Sequence, residues 1–334
     1  MSRLLLALLA ALFVSACAPA APPAVPPAPA PPAAEAPDVR DNPFDVAALL
    51  EDLRTLSSPA MEGRRMGTPG HARAQAYLRQ RFAEVGLEPL GDSLGVPFRY
   101  VPRGGTAEED GTNFVGIVRG TESGGPYLLV LAHYDHLGIR NGQIYHGADD
   151  NASGTAALIT LAGHLRRNPP RHSVIIAALD AEEVGLQGAR FMAANPPVPL
   201  DEVALVINMD MIGRSETGEL YAAGTYHYPF LRPHVEAVAA EAPIRLLMGH
   251  DSPDLPPGDD WTMSSDHGPF HQRGVPFIYF GVEDHEGYHQ PSDTYENITP
   301  FFYIGAVETV IAFVERADRH LAAIHAARRA QTRP

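Results

Sequence analysis

A single cysteine in 334 residues excludes any intramolecular disulfide. Basic charge is also scarce. Lysine and arginine number 25 against 40 aspartates and glutamates, a formal net charge of -15. This balance argues against nucleic acid as the partner, since phosphate binding needs a basic face, and disfavours acidic substrates. No internal repeat is visible. The longest apolar run, Leu4 to Val14, is too short to span a bilayer as a stable helix. What remains is ample for one large globular domain, since 45% of residues are hydrophobic and only 19% charged.

The apolar run follows Arg3 and has the form of an export signal over residues 1–16. Val14-Ser15-Ala16-Cys17 puts the lone cysteine directly after two small residues, which resembles the lipobox of bacterial lipoproteins and implies acylation of Cys17. Membrane attachment would then run through lipid on Cys17. The implied location is the cell envelope, with the domain in the periplasm or otherwise outside the cytoplasm. Residues 17–40 read as this cysteine and a stalk, because Ala18 to Pro37 is almost wholly alanine and proline and favours extended conformations over a core. A single domain is expected over 41–326 and a tail over 327–334.

Thr68-Pro69 is a cap with a first-turn proline, and Ala74, Leu78, Phe82 and Val85 recur at helical spacing until Gly86. Short apolar runs then predict buried strands over Phe114–Val118, Tyr127–Ala132, Val174–Leu179, Val203–Met209 and Phe277–Phe280. Helical patterns separate them near Ser153–Arg167, Leu186–Ala194 and Leu231–Ala240, and a long helix from about Pro300 to Ala326 closes the chain. This alternation predicts a three-layer α/β sandwich with a mostly parallel central sheet flanked by helices.

Three of the strands run straight into polar clusters: His133-Tyr134-Asp135-His136, Asp180-Ala181-Glu182-Glu183, and Asp210. Ligands of open α/β sheets bind beyond the carboxyl ends of the strands, so the clusters should converge on one crevice. Histidine with several carboxylates and no available thiolate suits zinc, cobalt or manganese, with zinc the default.

In these residues the chain resembles metallopeptidase family twenty-eight, the co-catalytic di-zinc aminopeptidases, from about Asp41 to Ala326. Ala132-His133-Tyr134-Asp135-His136 is similar to the family's His-x-Asp, which implies His133 as a metal ligand oriented by Asp135. Gly147-Ala148-Asp149-Asp150-Asn151-Ala152-Ser153-Gly154 is similar to the loop with the bridging aspartate; that residue is Asp150, with Asp149 as the competing choice. Asp180 to Leu186 resembles the double-glutamate turn, implying Glu182 as general base and Glu183 as ligand. Asn208-Met209-Asp210-Met211-Ile212-Gly213 and Tyr288-His289-Gln290-Pro291-Ser292-Asp293 match the segments of the last two ligands, Asp210 and His289.

The resemblance implies the zinc-exopeptidase, aminopeptidase-like fold and two Zn2+ ions, one on His133, Asp150 and Asp210, the other on Asp150, Glu183 and His289. Two divalent cations also balance Asp150, Glu183, Asp210 and an ionised Glu182. It further implies a cis peptide bond between Asp150 and Asn151. The reaction implied is removal of N-terminal residues from peptides with a free N-terminus, by a water bridging the two ions, with Tyr288 hydrogen-bonding the developing oxyanion. Rival readings are a glutaminyl cyclase of the same fold, a carboxypeptidase or aminoacylase, and a binding protein that has lost catalysis. The cyclases usually carry tryptophan where this chain has Tyr288, and the inactive relatives lose ligands that are all present here.

His285-Glu286-Gly287-Tyr288-His289 is literally H-E-x-x-H, but that motif needs a helix, and Gly287 with the following Pro291 disfavours one. His285 and Glu286 are therefore expected in a loop at the rim. Ser264-Ser265-Asp266-His267 resembles a family segment bordering the active site, with a surface or capping role equally open. The preceding loop with Trp261 is one reading of a pocket wall. His164, His172 and His234 are expected to face solvent.

Overall fold

A computed structural model describes residues 42–102 and 105–331; the expected signal segment, Cys17, the stalk and residues 332–334 lie outside the described residues. The helices are α1 Val46–Leu56, α2 Pro69–Glu84, α3 Gly154–Arg167, α4 Gln187–Ala194, α5 Arg232–Ala239, α6 Gly268–His271, α7 Pro300–Arg319 and α8 Leu321–Gln331. The strands are β1 Glu88–Pro89, β2 Gly95–Tyr100, β3 Glu109–Val118, β4 Tyr127–His133, β5 Gly138–Arg140, β6 Gln143–Tyr145, β7 Val174–Leu179, β8 Val203–Met209, β9 Glu219–Ala223, β10 Arg245–Met248 and β11 Phe277–Gly281.

The main sheet has the order β1-β3-β7-β4-β8-β11-β9-β10, with β2 also paired to β3. Its centre, β7-β4-β8-β11, is parallel, and the pairing turns antiparallel where β3 joins β7 and where β9 joins β11. Helices flank the sheet, as the alternation predicts. Covered on both faces, β7 and β8 are buried along their whole length and β4 from Leu128 onward, which is why they read as unbroken apolar runs. Parallel central strands also carry their carboxyl ends to one edge, and that edge holds the site.

Local chemistry sets the helix starts. Thr68 Oγ1 accepts from the His71 amide ahead of α2, which buries Ala74, Leu78 and Phe82. Asp45 caps α1 in the same way through the Ala48 amide, and Val46, Leu49, Leu53 and Leu56 form its buried stripe.

Two expectations are corrected. The closing helix breaks at His320, and α8 continues through Gln331 into the stretch expected as tail. The break turns α8 toward the start of β8, where the Arg328 guanidinium donates to the carbonyls of Leu200, Val203 and Gly274. His164 and His172 are buried rather than solvent-facing: His164 Nε2 lies 2.8 Å from Glu315 Oε1 and His172 Nδ1 3.0 Å from Asp318 Oδ1. His234 is half-buried.

Candidate metal centre

Each arm of the site starts where a central strand ends. His133 is the last residue of β4, Asp180 to Glu183 follow β7, Asp210 follows β8, and the loop after β11 carries Tyr288 and His289. Asp150 lies in an irregular helical turn, Ala148–Ser153, that leads into α3, where its own φ/ψ and that of Asn151 are non-helical, and its peptide bond to Asn151 is cis. Ala181, Leu186, Met211 and His289 all hold positive φ between 53° and 59°, so tight non-glycine turns cluster around the centre.

The five ligand positions named from the motifs come together. His133 Nε2 lies 3.2 Å from Asp210 Oδ1 and 3.4 Å from Asp150 Oδ1. On the opposite side of Asp150, His289 Nε2 lies 3.1 Å from Asp150 Oδ2 and 3.4 Å from Glu183 Oε2. Donor atoms sharing a tetrahedral zinc, with bonds of about 2.0 to 2.1 Å, stand about 3.3 Å apart. The spacing therefore fits two such cations with one Asp150 oxygen facing each. His133, Asp150 and Asp210 form one group suited to a metal, and Asp150 and Glu183 belong to a second that also includes His136.

The protonation balance reports surplus negative charge. Burial works against the charged form of His133, yet Asp210 and Glu182 hold its imidazole well above the usual range. At His289 burial is likewise overcome by Asp150 and Glu183, which raise it to about 10. Burial pushes the Glu182 carboxyl well above the ordinary carboxylate range, opposed by His133 and reinforced by Asp210 and Asp266. Divalent cations would neutralise this excess.

A hydrogen-bonded frame holds the arms. Asp135 Oδ1 and Oδ2 accept from the Glu182 and Glu183 amides at 3.0 and 3.3 Å, tying β4 to the double-glutamate turn. The atom of Asp135 within hydrogen-bond range of His133 Nδ1 is its backbone oxygen, at 3.3 Å; the carboxylate stands 3.7 Å away. Asp293 fixes the loop that carries Asp150 by accepting from the Asp149 and Asp150 amides. The Asp149 carboxylate is taken up by the Gly213 amide and His285 Nε2, so Asp150 and not Asp149 occupies the centre. Below that loop the buried Arg64 guanidinium donates to the carbonyls of Leu56, Tyr134, His146 and Gly147. Burial lowers Arg64 to about 10, and the nearby carboxylates, Asp150 foremost, oppose that shift.

The H-E-x-x-H string forms turns, not a helix: the Tyr288 amide donates to His285 O and the Gln290 amide to Gly287 O. His285 does more than border the rim, since it holds Asp149, while Glu286 pairs with Arg214. Asp266 and His267 are buried, which sets aside a surface reading for them; His267 stands at the N-cap position of α6 but its side chain makes no capping hydrogen bond. Burial raises the Asp266 carboxyl to about 8, and neither of its oxygens has a hydrogen-bond partner among the described residues. From the same segment Ser265 Oγ donates to Asp210 Oδ2 at 2.7 Å, a contact no sequence reasoning assigned. His136 was also missed; its Nδ1 stands 2.7 Å from Glu183 Oε1.

A cavity of roughly 680 Å³ opens onto Asp150, Glu182, Asp210 and His289. Tyr288 lines it, its ring stacked on His289 with centroids 4.0 Å apart. Trp261 forms part of the wall, together with Met263 and Val282.

Residues 113–314 match the model of the family described as Peptidase family M28. Aminopeptidase YwaD of Bacillus subtilis (strain 168) is 32% identical over 200 residues, 56% of this chain, and the chain spans only 40% of that relative's length. Among solved structures, a glutaminyl cyclase from Porphyromonas gingivalis superposes with a TM-score of 0.67 at 19% identity, covering 82% of this chain and 99% of the other. A zinc aminopeptidase from Bacillus subtilis gives a TM-score of 0.66 at 18% identity, covering 83% and 96%. These structural likenesses are likenesses of fold.

Proposed function

The chain belongs to peptidase family M28, whose model matches more than half of it, and on that premise we propose that it is a zinc-dependent aminopeptidase that holds two ions and removes residues from free peptide N-termini. The observation that carries this reading is the different setting of two adjacent carboxylates. Glu183, with Oε2 toward His289 and Oε1 toward His136, is held by two histidines, while Glu182 lines the same cavity next to it. His133, Asp150 and Asp210 would hold one ion, and Asp150, Glu183 and His289 the other. When bound, such ions polarise a carbonyl and bring the pKa of water toward about 7.

The chain's own residues divide the remaining work. Glu182, lining the cavity beside Glu183, is placed to act as the general base that takes a proton from water and returns it to the leaving amine. Asp135 keeps it aimed by holding its amide and that of Glu183. The Tyr288 hydroxyl, beside His289, is the donor for a developing oxyanion. Asp284 lines the cavity as a further carboxylate and favours an α-ammonium group there, which supports exopeptidase cleavage.

The test is a panel of substrates. A leucyl peptide with a free N-terminus should be hydrolysed, its N-acetylated form should not, and a glutaminyl peptide should lose glutamine without cyclising. Pyroglutamate as the main product would favour the cyclase, and cleavage of the acetylated peptide would contradict the aminopeptidase reading.

Attachment is a separate matter from catalysis. With lipid on Cys17 anchoring the chain in the cell envelope, Cys17→Ser should move the protein to the soluble fraction with specific activity unchanged. Continued detergent-only extraction of the variant would refute lipid anchoring through this residue. Among the described residues no helix is long and apolar enough to cross a membrane.

A further inference from the structure

His136 has no part in the reaction as described above, yet its ring is fully buried beside the metal centre. Nδ1 lies 2.7 Å from Glu183 Oε1 and 3.6 Å from Asp150 Oδ2. Such an imidazole can be a ligand or can hold one, and the distances separate the two roles. Atoms bound to one tetrahedral zinc stand about 3.3 Å apart. His289 Nε2 meets that spacing with Glu183 Oε2 at 3.4 Å and with Asp150 Oδ2 at 3.1 Å. The His136 contact is too short for a shared ion and has the length of a charge-assisted N–H···O hydrogen bond, about 2.7 to 2.9 Å.

The oxygen involved matters as much as the length. His136 meets Oε1, whereas His289 faces Oε2, so the two histidines divide the Glu183 carboxylate between them. Donation to Oε1 requires the proton on Nδ1. Nε2 is then the unprotonated nitrogen, and it is buried without a hydrogen-bond partner among the described residues.

The ring is also locked in place. A Cβ at Gly147 would lie 2.5 Å from His136 Cδ2 and 2.6 Å from Cγ, so only glycine allows the backbone to pack this closely on the imidazole. Arg64 Nη2 in turn fixes the Gly147 carbonyl at 2.8 Å. A side chain clamped this way restricts Glu183 to one orientation.

We propose that His136 is a positioning residue, whose Nδ1–H occupies Glu183 Oε1 so that Glu183 binds the second ion through Oε2 alone. The proposal rests on the two-zinc reading. It concerns only the site formed by Asp150, Glu183 and His289, and leaves the site of His133 and Asp210 untouched.

The test is zinc titration of the metal-free protein against a competing chelator, with wild type, His136→Ala, His136→Asn, Glu183→Ala and the His136→Ala/Glu183→Ala double variant. Thermal melting in chelator checks that each variant folds. In His136→Ala the tighter zinc should bind as in wild type and the second about 10- to 100-fold more weakly. His136→Asn should restore most of that loss, because its amide N–H can take the place of Nδ1–H. On the Glu183→Ala background, His136→Ala should weaken zinc no further. Wild-type affinity for both ions in His136→Ala would overturn the proposal. So would an additive loss in the double variant, or a folded His136→Asn as weak as His136→Ala, since either would make the imidazole itself a ligand. Wild type binding fewer than two ions would instead remove the two-zinc reading, and the proposal with it.

Discussion

Glu182→Gln should lower kcat at least about a hundredfold while both ions stay bound. General-base loss commonly costs about 10²- to 10⁴-fold, and a hundredfold corresponds to about 2.7 kcal/mol in the barrier. Glutamine has the same shape, and the Glu182 amide keeps its bond to Asp135, so the neighbouring Glu183 should not move. What is lost is the group able to take and return a proton in the cavity. Steady-state rates paired with metal analysis of the same preparation separate this from metal loss. Turnover close to wild type would show that the base lies elsewhere.

Asp150→Ala should abolish activity and empty both sites together, unlike a change at a ligand serving one ion. Its two oxygens face His133 Nε2 at 3.4 Å and His289 Nε2 at 3.1 Å, so each group loses a member at once. His289→Ala should disturb only the second site. Zinc that binds the folded state alone stabilises it by about 2.7 kcal/mol at a hundred times its Kd, so wild type should melt at higher temperature as zinc is added. The Asp150→Ala variant should show no such rise. A zinc-dependent shift equal to that of wild type would place the shared ligand at another residue.

The legible parts of this molecule are those with strong local signals. β7 and β8 have the bounds their apolar runs gave, because strands covered on both faces leave nothing else to read. The positions that the structure brings together, His133, Asp150, Glu183, Asp210 and His289, were legible as ordered motifs, and the carboxyl ends of parallel strands gave a physical reason for their convergence. Half-exposed elements were not: β2, β9 and β10 mix polar and apolar positions and were missed. Helix α1 was missed despite a readable signal, the Asp45 cap and the Val46-Leu49-Leu53-Leu56 stripe. The supports of the site were hidden for a different reason. Arg64, Asp293 and Ser265 act across gaps of many residues, and a lone arginine or serine reads as surface until its partners are known. His136 stood inside a quoted motif, but nothing in its spacing distinguishes a ligand from a residue that holds one.

On the proposed reading, Asp150 joins two zinc sites into one hydrolytic centre. Its most direct test is zinc titration of the metal-free protein, with bound zinc per chain and leucyl-peptide hydrolysis measured at each step. Two zinc ions per chain at saturation, with full turnover reached only as the second binds, is the expected result. Saturation at one ion, or full turnover without zinc, would contradict a two-zinc centre.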